Sequence, residues 1–360
     1  MSQAVTSLPP LSRIGILGGG QLGRMLALAA AELGLDCVVY EPEADCPAGR
    51  VATRCITAPW DDQASLAAFA QAVDVITFEF ENVPAASLTF LASCKPIRPG
   101  LASLTQTQDR LVEKTFIQSL GLATAPFAAC DSLADLEAAA AQIGLPAILK
   151  TRTLGYDGKG QIRLRAADHL AQAWQDLGGQ SAILEGFIDF DREVSVILAR
   201  AHTGQIAAFD VPENVHKAGI LHTSTVPARI SADLAAKAVA QASSIADALD
   251  HIGVLAVEFF VVGADQLIVN EIAPRVHNSG HWTQDGCAAD QFQQHIRAIA
   301  GWPLASPRRH TNQIIMTNLI GSDIEAWQGL SAEPDTYVHL YGKRQSREGR
   351  KMGHVNRLKP

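Results

Sequence analysis

The chain has 360 residues, 48% hydrophobic and 18% charged, which is typical of a globular protein with roughly two or three domains, and its net charge of −8 argues against a general nucleic-acid-binding protein. Residues 1–12 lack the basic start and apolar run of a signal peptide, and no apolar stretch approaches the ~18–20 residues that span a bilayer. The six scattered cysteines form no C-x-x-C pair, so we expect free thiols in a cytoplasmic protein without membrane contact.

A glycine-rich turn joins the first predicted strand, residues 14–17, to an Ala/Leu-rich helix that Gly34 ends. The turn, residues 18–23, satisfies the pattern G-x-G-x-x-G, and Glu41 follows the next predicted strand about 20 residues on, where a ribose-binding acid is expected. One interpretation is a nicotinamide-dependent oxidoreductase. The other is a doubly wound βαβ unit whose helix N-terminus faces a different anion.

Two acids end the next predicted strand, residues 73–81. Glu79 and Glu81 share one face by the period-two spacing of a strand, at the carboxyl end where open α/β sheets bind ligands. Solvated surface acids are the alternative. Beyond them, Ser103 is interpreted as the N-cap of a single helix that runs to residue 120 and presents Arg110 on one side.

The central stretch, residues 146–161, combines a strand with a second glycine-rich loop. A helix over residues 133–143 precedes it, and the strand delivers Lys150 to its end. The loop GYDGKGQ has three glycines and a lysine, so its backbone N–H groups can surround a polyphosphate. It is not a P-loop, because Gln161 follows the last glycine where Lys-Ser/Thr is required. A solvated hairpin tip is the alternative.

A predicted hairpin of two apolar strands, residues 256–262 and 267–272, carries a carboxylate pair. If the turn is centred on residues 264 and 265, Glu258 lies opposite Glu271, with Cβ atoms ~4.5–5.5 Å apart. Two carboxylates this close are unfavourable unless a cation lies between them, and Mg²⁺ commonly binds one or two carboxylates plus phosphate. A solvated face or neutralising arginines are the alternatives.

Other polar positions interrupt this second half of the chain. Predicted strands cover residues 182–188 and 192–198, and Glu193 at the start of the second is a strand-end acid or a hydroxyl-binding group. His216 is interpreted as a loop residue. Residues 273–282 (APRVHNSGHW) are interpreted as too polar for the core and too rich in Arg, His and Asn for a plain connection.

The C-terminal residues 343–360 contain seven Lys or Arg and one Glu, a local charge of +6 on an acidic protein. Such a segment is either a solvated tail or a phosphate-binding lip. Because it contains glycines and follows a strand-like stretch at 337–341, an ordered loop is favoured over a tail.

Five motifs in order resemble one family over nearly the whole chain: GGGQLGRM (18–25), QDRL (108–111), GYDGKGQ (155–161), NEIAPRVHNSGHW (270–282) and GRKMGHVN (349–356). They are similar to ATP-grasp enzymes, and within these to the 5-(carboxyamino)imidazole ribonucleotide synthases of purine biosynthesis. The resemblance implies an α/β fold with a Rossmann-like (pre-ATP-grasp) domain over 1–108, an ATP-grasp α+β domain over 109–298 and a small β-rich domain over 299–360.

The resemblance also implies a reaction: ATP, bicarbonate and 5-aminoimidazole ribonucleotide give the N5-carboxylated ribonucleotide, ADP and phosphate through carboxyphosphate, in a homodimer. The ATP-binding residues it implies are Arg110, Lys150, Gly155, Tyr156, Asp157, Gly158, Lys159, Gly160, Gln161, Glu185, Gly186, Phe187, Ile188, Glu193, His216, Asn270 and Glu271. The metal ligands for Mg²⁺, with Mn²⁺ as a substitute, are Glu258 and Glu271. The catalytic residues are Arg275, His277, Asn278 and Tyr156, and the substrate contacts are Gln21, Leu22, Glu79, Glu81, Lys343, Arg350 and Lys351.

One departure concerns Asn270. Many ATP-grasp relatives have Glu-x-Asn at the second metal carboxylate, whereas here Asn270 precedes Glu271, and regular pleating would turn it to the other face. Three other functions stay open at this stage. They are a sister ATP-grasp ligase for another purine intermediate, the nicotinamide-dependent oxidoreductase, and a non-catalytic ATP-grasp scaffold, which would lack the carboxylate pair.

Overall fold

The computed structural model describes residues 7–155 and 159–359, which form three β-sheets and their flanking helices. The N-terminal part comprises β1 (Arg13–Leu17), α1 (Gln21–Glu32), β2 (Asp36–Tyr40), β3 (Arg54–Ile56), α2 (Gln63–Gln71), β4 (Val75–Phe78), α3 (Ala85–Cys94) and α4 (Leu101–Thr107). Its sheet is parallel, in the order β3-β2-β1-β4, and β1, β2 and β4 are apolar runs with almost every side chain buried. The predicted βαβ unit is confirmed.

The single helix predicted from Ser103 to residue 120 is wrong, because two helices occupy this stretch. α5 (Arg110–Ser119) starts anew after Asp109, whose carboxylate accepts hydrogen bonds from backbone N–H groups of its first turn. Ser103 is not a cap but a buried residue inside α4, where its hydroxyl bonds to Nδ1 of His251 at 3.0 Å. The break turns α5 so that Arg110 opens the second helix.

The second sheet is antiparallel, in the order β5-β8-β6-β7. Its elements are β5 (Phe127–Cys130), α6 (Leu133–Ile143), β6 (Ala147–Thr151), β7 (Gln161–Leu164), α7 (Leu170–Asp176) and β8 (Ala182–Gly186). α6 has the predicted bounds because Ser132 caps its N-terminus and Gly144, with a φ of 87°, ends it. β6 carries Lys150 next to its C-terminal residue, as predicted.

The third sheet is the largest, and it extends from the hairpin to the C-terminal strands. Its elements are β9 (Arg192–Arg200), β10 (Ile206–Ala208), β11 (Glu213–Lys217), β12 (Ile220–Val226), α8 (Ala232–Ala248), β13 (Gly253–Val262), β14 (Gln266–Ala273), α9 (Thr283–Gly286), α10 (Gln291–Ile299), β15 (Gln313–Ile320), α11 (Trp327–Ala332), β16 (Thr336–Leu340) and β17 (Lys351–Lys359). The strand order is β14-β13-β9-β11-β12-β15-β17-β16, with β10 paired to β9. Because β15 pairs with β12, the sheet is continuous across the predicted boundary at residue 298.

Two interpretations of polar residues are corrected by this sheet and its surroundings. His216 lies in strand β11 and not in a loop, next to a bulge in the β11–β12 pairing. The segment 273–282, interpreted as too polar for the core, is mostly buried: Ser279, His281 and Trp282 are at most 1% exposed. Its polar groups are buried because partners from distant parts of the chain satisfy most of them, as described below.

Helix α8 covers one face of the large sheet. Ser231 caps its N-terminus, and Leu234, Ala238, Ala242 and Ile245 form its buried stripe against the sheet. None of the helices in residues 7–155 and 159–359 combines the length and the apolar character needed to cross a bilayer.

Candidate active site

A cleft of about 610 Å³ lies where the three sheets meet. Eighteen of the predicted site residues line it. Gln21, Leu22, Glu79 and Glu81 belong to the N-terminal part, Arg110 to the start of α5, and Lys150, Gly155, Lys159 and Gln161 to the second sheet and its loop. The large sheet and its connections contribute Glu193, His216, Glu258, Asn270, Glu271, Arg275, His277, Asn278 and Lys351. The volume is within the range of small-molecule sites, and charged groups of both signs converge in it.

The hairpin β13–β14 places Glu258 opposite Glu271, as predicted, but by a different turn. At the turn, Val262 pairs with Gln266, whereas a turn centred on residues 264 and 265 would pair it with Leu267. A bulge at Asn270 then restores the register. The regular pleating that would turn Asn270 away from Glu271 is interrupted by this bulge, and both residues line the cleft.

Neighbouring groups compensate the negative charges of Glu258 and Glu271 to different extents. Burial and the charge of Glu271 raise the pKa of Glu258 to about 7. Burial would raise the pKa of Glu271, but nearby cations outweigh burial and lower it. The largest of these contributions comes from Arg110, whose Nη1 lies 3.5 Å from Oε2 of Glu271. The ring Nε2 of His277 lies 3.6 Å from Oε1 of Glu258. Two close carboxylates, only one of which is compensated by neighbouring cations, fit a hard cation such as Mg²⁺.

In the described ranges no group of three or more His, Cys, Asp or Glu side chains is arranged to hold a metal ion. Among these residues, a cation at Glu258 and Glu271 would therefore have no third His, Cys, Asp or Glu ligand. Mg²⁺ typically binds proteins through one or two carboxylates together with phosphate oxygens and water.

A cluster of buried charges lies beside the pair, on β6, β8 and α5. Glu185 accepts from Nζ of Lys150 at 3.0 Å and lies 3.3 Å from Nζ of Lys114. Although burial opposes ionisation, the two ammonium groups lower the pKa of Glu185 to about 2. Lys114 also donates to the carbonyl of Asn270 at 2.7 Å, which fixes the bulge. The cluster leaves two cations for one carboxylate, which suits a bound polyanion.

The G-x-G-x-x-G turn already holds an anion, and this anion belongs to the chain. Glu79 accepts from the backbone N–H of Gly20 and, at 2.6 Å, from that of Gly23, while Glu41 accepts from that of Gly19 at 2.6 Å. These N–H groups are the ones a dinucleotide pyrophosphate would use. The turn therefore gives no support to the nicotinamide interpretation, and Glu79 and Glu41 are its structural anions.

The segment after β14 presents polar side chains to the cleft. Arg275 donates to Glu81 and, at 3.0 Å, to the carbonyl of the next residue, which leaves its buried Nε without a partner among the described residues. Asn278 exchanges two amide hydrogen bonds with Asn318 at 2.8 and 2.9 Å. Burial, followed by the charge of Arg275, lowers the pKa of His277 well below its usual value, so its imidazole is neutral.

Two predicted ATP residues form a pair on neighbouring strands β9 and β11. His216 Nδ1 hydrogen-bonds to the carboxylate of Glu193. Burial alone would lower the pKa of His216, but this hydrogen bond and the negative charges of Glu258, Glu193 and Glu271 together outweigh burial and raise it. Phe190, stacked on Phe260 at 4.5 Å between ring centroids, lines the cleft beside them and provides an apolar wall for a flat ring.

The basic C-terminal segment is ordered, so the solvated tail is excluded. Lys351 begins β17, a strand between β15 and β16, and lines the cleft. Lys343 lies outside the lining and donates to the carbonyl of Lys351 at 2.8 Å. Arg350 also lies outside it and donates to the carbonyl of Gln345 at 3.0 Å.

Three family models match consecutive parts of the chain. The ribonucleotide synthetase preATP-grasp domain matches residues 11–108, the ATP-grasp domain residues 115–292 and the phosphoribosylaminoimidazole carboxylase C-terminal domain residues 315–360. The N5-carboxyaminoimidazole ribonucleotide synthase of Brucella melitensis is 52% identical over 357 residues, which cover 99% of this chain and 98% of the relative. The chain belongs to the N5-carboxyaminoimidazole ribonucleotide synthase family. This confirms the resemblance and the α/β fold class.

Solved structures of N5-carboxyaminoimidazole ribonucleotide synthases agree with this fold. The Staphylococcus aureus protein complexed with ADP is 38% identical with a TM-score of 0.94, covering 98% of this chain and 95% of that one. The Aspergillus clavatus protein in complex with ADP and 5-aminoimidazole ribonucleotide is 30% identical with a TM-score of 0.91, covering 97% of this chain and 94% of that one.

The motifs shared with N5-carboxyaminoimidazole ribonucleotide synthases each contribute to the lining, but several predicted residues do not line the cleft. Tyr156, Asp157 and Gly158 lie outside the described residues. Gly160, Glu185, Gly186, Phe187 and Ile188 are described but lie outside the lining. Glu185 still bonds Lys150, and the backbone N–H of Phe187 donates to the carbonyl of Pro146 at 3.1 Å.

Sequence reasoning missed several lining residues, among them Glu113, Arg152, Phe190, Phe260 and His281. Glu113 had a readable signal, because Arg110, Glu113 and Lys114 recur at i, i+3 and i+4 on one helical face. The QDRL motif is also explained. Gln108 donates to the carbonyl of Glu81 at 2.6 Å and Asp109 caps α5, so the motif ties the N-terminal part to the start of α5.

Proposed function

We propose that this protein carboxylates 5-aminoimidazole ribonucleotide on N5 with ATP and bicarbonate in purine biosynthesis, forming ADP and phosphate. The observation that carries the proposal is the Glu258/Glu271 pair in the same cleft as the buried cations Lys150 and Arg110. Similarity to named synthases over 99% of the chain supports the same activity. The carboxylates suit a metal ion, and the cations suit the polyphosphate that shares it.

ATP is proposed to lie with its polyphosphate between the lysine cluster and the carboxylate pair. Lys150, Arg110 and the loop residues of 155–161 hold its phosphates, Glu193 accepts its ribose hydroxyls, and His216 lies over the nucleotide. The backbone of residues 185–188 is proposed to meet the adenine. When bound, Mg²⁺ supplies charge compensation for the transferring phosphoryl group. Asn270 is proposed to add an amide oxygen beside Glu271, and the bulge at this residue supports the assignment.

Bicarbonate is proposed to attack the γ-phosphoryl group to give carboxyphosphate. Arg275, His277 and Asn278, which line the cleft, are proposed to surround this anion. Neutral His277 is able to donate or accept a hydrogen bond there without adding charge, because burial holds its pKa well below the usual value. Water destroys carboxyphosphate, so the loop 155–161, including Tyr156, is proposed to cover the site during turnover.

The ribonucleotide is proposed to bind at the N-terminal side of the cleft. Gln21, Leu22 and Glu81 contact its ring or ribose, and Glu79 acts from behind by holding the glycine turn. Lys351 meets its phosphate, with Lys343 and Arg350 adding positive charge from the same segment. The domain bounds 1–108, 109–298 and 299–360, a homodimer, Mn²⁺ as a substitute metal and a cytoplasmic location belong to the same proposal.

The test is Glu271→Gln, with Asp265→Asn in the exposed turn of the same hairpin as the matched control. Glu271→Gln should lower turnover by about 10²-fold or more at saturating Mg²⁺, because charge compensation in the transition state is lost. The fold should persist, since a like-charge repulsion is removed. Phosphate release that requires both bicarbonate and 5-aminoimidazole ribonucleotide in the parent protein is the expected activity. Release with a different purine intermediate instead would favour a sister ligase, and near-parental turnover of Glu271→Gln would remove the metal assignment.

A further inference from the structure

One buried amide on α10 holds the segment that carries His277 and His281. The side chain of Gln291 is 0% exposed. Its Oε1 accepts from the backbone N–H of His277 at 2.9 Å, and its Nε2 donates to the carbonyl of the same residue at 2.8 Å. Nε2 also hydrogen-bonds to Nδ1 of His281 at 2.9 Å. Both amide protons of Gln291 and its oxygen are thus committed to this segment.

The surroundings are shaped for this contact. A Cβ on Gly280 would lie 2.7 Å from Oε1 of Gln291, so glycine is required for the amide to approach the backbone. The backbone N–H of Gln291 donates to the hydroxyl of Thr283 at 3.0 Å, and that hydroxyl donates to the carbonyl of Gly280 at 2.6 Å. The start of α10 and the segment 277–283 are therefore joined into one hydrogen-bonded unit.

The geometry has two consequences for the cleft. First, Gln291 holds both the backbone N–H and the carbonyl of His277. This fixes the position of the His277 ring, whose Nε2 lies 3.6 Å from Oε1 of Glu258. Second, because Nδ1 of His281 accepts a hydrogen bond from Nε2 of Gln291, the proton of the neutral imidazole is on Nε2 of His281. Gln291 itself is not part of the cleft lining, so it acts only through these two residues.

We propose that Gln291 is a positioning residue for the carboxylation step. Its amide fixes the His277 backbone and the His281 tautomer, and the anion site thereby excludes water until carboxyphosphate has reacted with the ribonucleotide. This inference rests on the proposed function. A shift of about 1 Å at a reacting centre can lower a rate on the order of 10²-fold, so a loosened 277–281 segment should be visible in turnover.

The same helix provides a matched control one turn further on. Gln294 is also 0% exposed, and its amide makes the same two-bond contact with a backbone, donating to the carbonyl of Ala305 at 2.7 Å and accepting from its N–H at 3.0 Å. The loop around Ala305 is not part of the cleft lining. Gln291→Met and Gln294→Met therefore remove equivalent buried amides, and they differ in what each amide holds.

The experiment compares the two methionine variants of the full-length protein in three measurements: melting temperature, ADP affinity, and the ratio of phosphate released to ribonucleotide carboxylated. Both variants should melt at a similarly lowered temperature and bind ADP like the parent. Gln291→Met alone should lose turnover by about 10²-fold at saturating substrates, and its phosphate-to-product ratio should rise well above the parent's. A role in stability alone would not change that ratio.

Gly280→Ala provides an independent variant if Gln291→Met is poorly folded. It keeps the amide but pushes it away from the segment, and the same increase in uncoupled phosphate release is expected. Parental turnover and coupling in both Gln291→Met and Gly280→Ala would overturn the inference, as would an equal loss of turnover in Gln294→Met. Absence of ribonucleotide-dependent turnover in the parent would instead overturn the proposed function on which the inference rests.

Discussion

Glu113→Gln should stabilise the substrate-free protein at neutral pH and have little effect below pH 4.5. Glu113 is 2% exposed, and its Oε1 accepts from the backbone N–H of Ile272 at 2.7 Å. Burial raises the pKa of Glu113 from 4.5 to about 8. The negative charge of Glu271 adds to this shift, and the nearby cations Lys114 and Arg110 oppose it. The folded protein therefore holds a proton that the unfolded chain releases. The amide of glutamine keeps the acceptor for Ile272 and does not titrate.

The sign and size follow from linkage. A carboxyl with a raised folded pKa contributes stability below its unfolded pKa of 4.5, and this contribution is lost as the pH rises towards the folded value of about 8. Each pH unit in this window corresponds to about 1.4 kcal/mol. Between pH 5 and pH 7 the free energy of unfolding should therefore fall by about 2.7 kcal/mol in the wild type relative to Glu113→Gln.

The assay is urea unfolding followed by circular dichroism in the presence of a chelator and without nucleotide, at several pH values between 5 and 8. Glu137→Gln, which removes an exposed carboxylate from α6, is the control. The reasoning is refuted if the difference between wild type and Glu113→Gln changes no more with pH than the difference between wild type and Glu137→Gln.

Two further predictions concern substrate binding. Lys351→Met should raise the Michaelis constant for the ribonucleotide roughly tenfold or more and leave that for ATP nearly unchanged, because a charge-assisted contact is worth about 1.5–3 kcal/mol. Arg350→Met should have a smaller effect, since Arg350 lies outside the cleft lining; equal effects in steady-state kinetics would contradict this placement. Gly20→Val should weaken ribonucleotide binding in calorimetry while ADP affinity stays within about twofold, because its side chain would displace the carboxylate of Glu79. A selective loss of ADP binding would contradict it.

Local signals predicted the elements whose ends depend on near neighbours. α6 was predictable at both ends, since its cap and its terminating glycine are adjacent to it in the sequence. The break between α4 and α5 was not, because it depends on partners far along the chain: Asp109 also pairs with Arg152 at 2.7 Å, and Gln108 bonds to the carbonyl of Glu81. Tertiary partners outweighed helix propensity there.

The site was predictable in its chemistry and less so in its geometry. The Glu258/Glu271 pairing is right although the assumed turn is wrong, because the bulge at Asn270 compensates the shorter register at the turn. Residues 273–282 appeared too polar to be buried, since a sequence does not show that Gln291 and Asn318 supply their hydrogen bonds. Burial of polar groups is decided by such long-range pairing, for which composition gives no signal.

The large sheet is continuous, so the cleft residues that it carries keep a fixed spacing, whereas those on a separate sheet do not. Four residue pairs join β12 to β15, and separating them would cost roughly 0.5–1.5 kcal/mol for each lost hydrogen bond, before the buried side chains of Ile314 and Met316 are exposed to water. Glu258 and Lys351 thus lie on a single sheet, so strand pairing fixes the spacing between the proposed metal ligand and the proposed phosphate-binding cation. Lys150 belongs to a separate sheet, so its distance from Glu258 depends on packing and on side-chain contacts such as that of Lys114 with the Asn270 carbonyl.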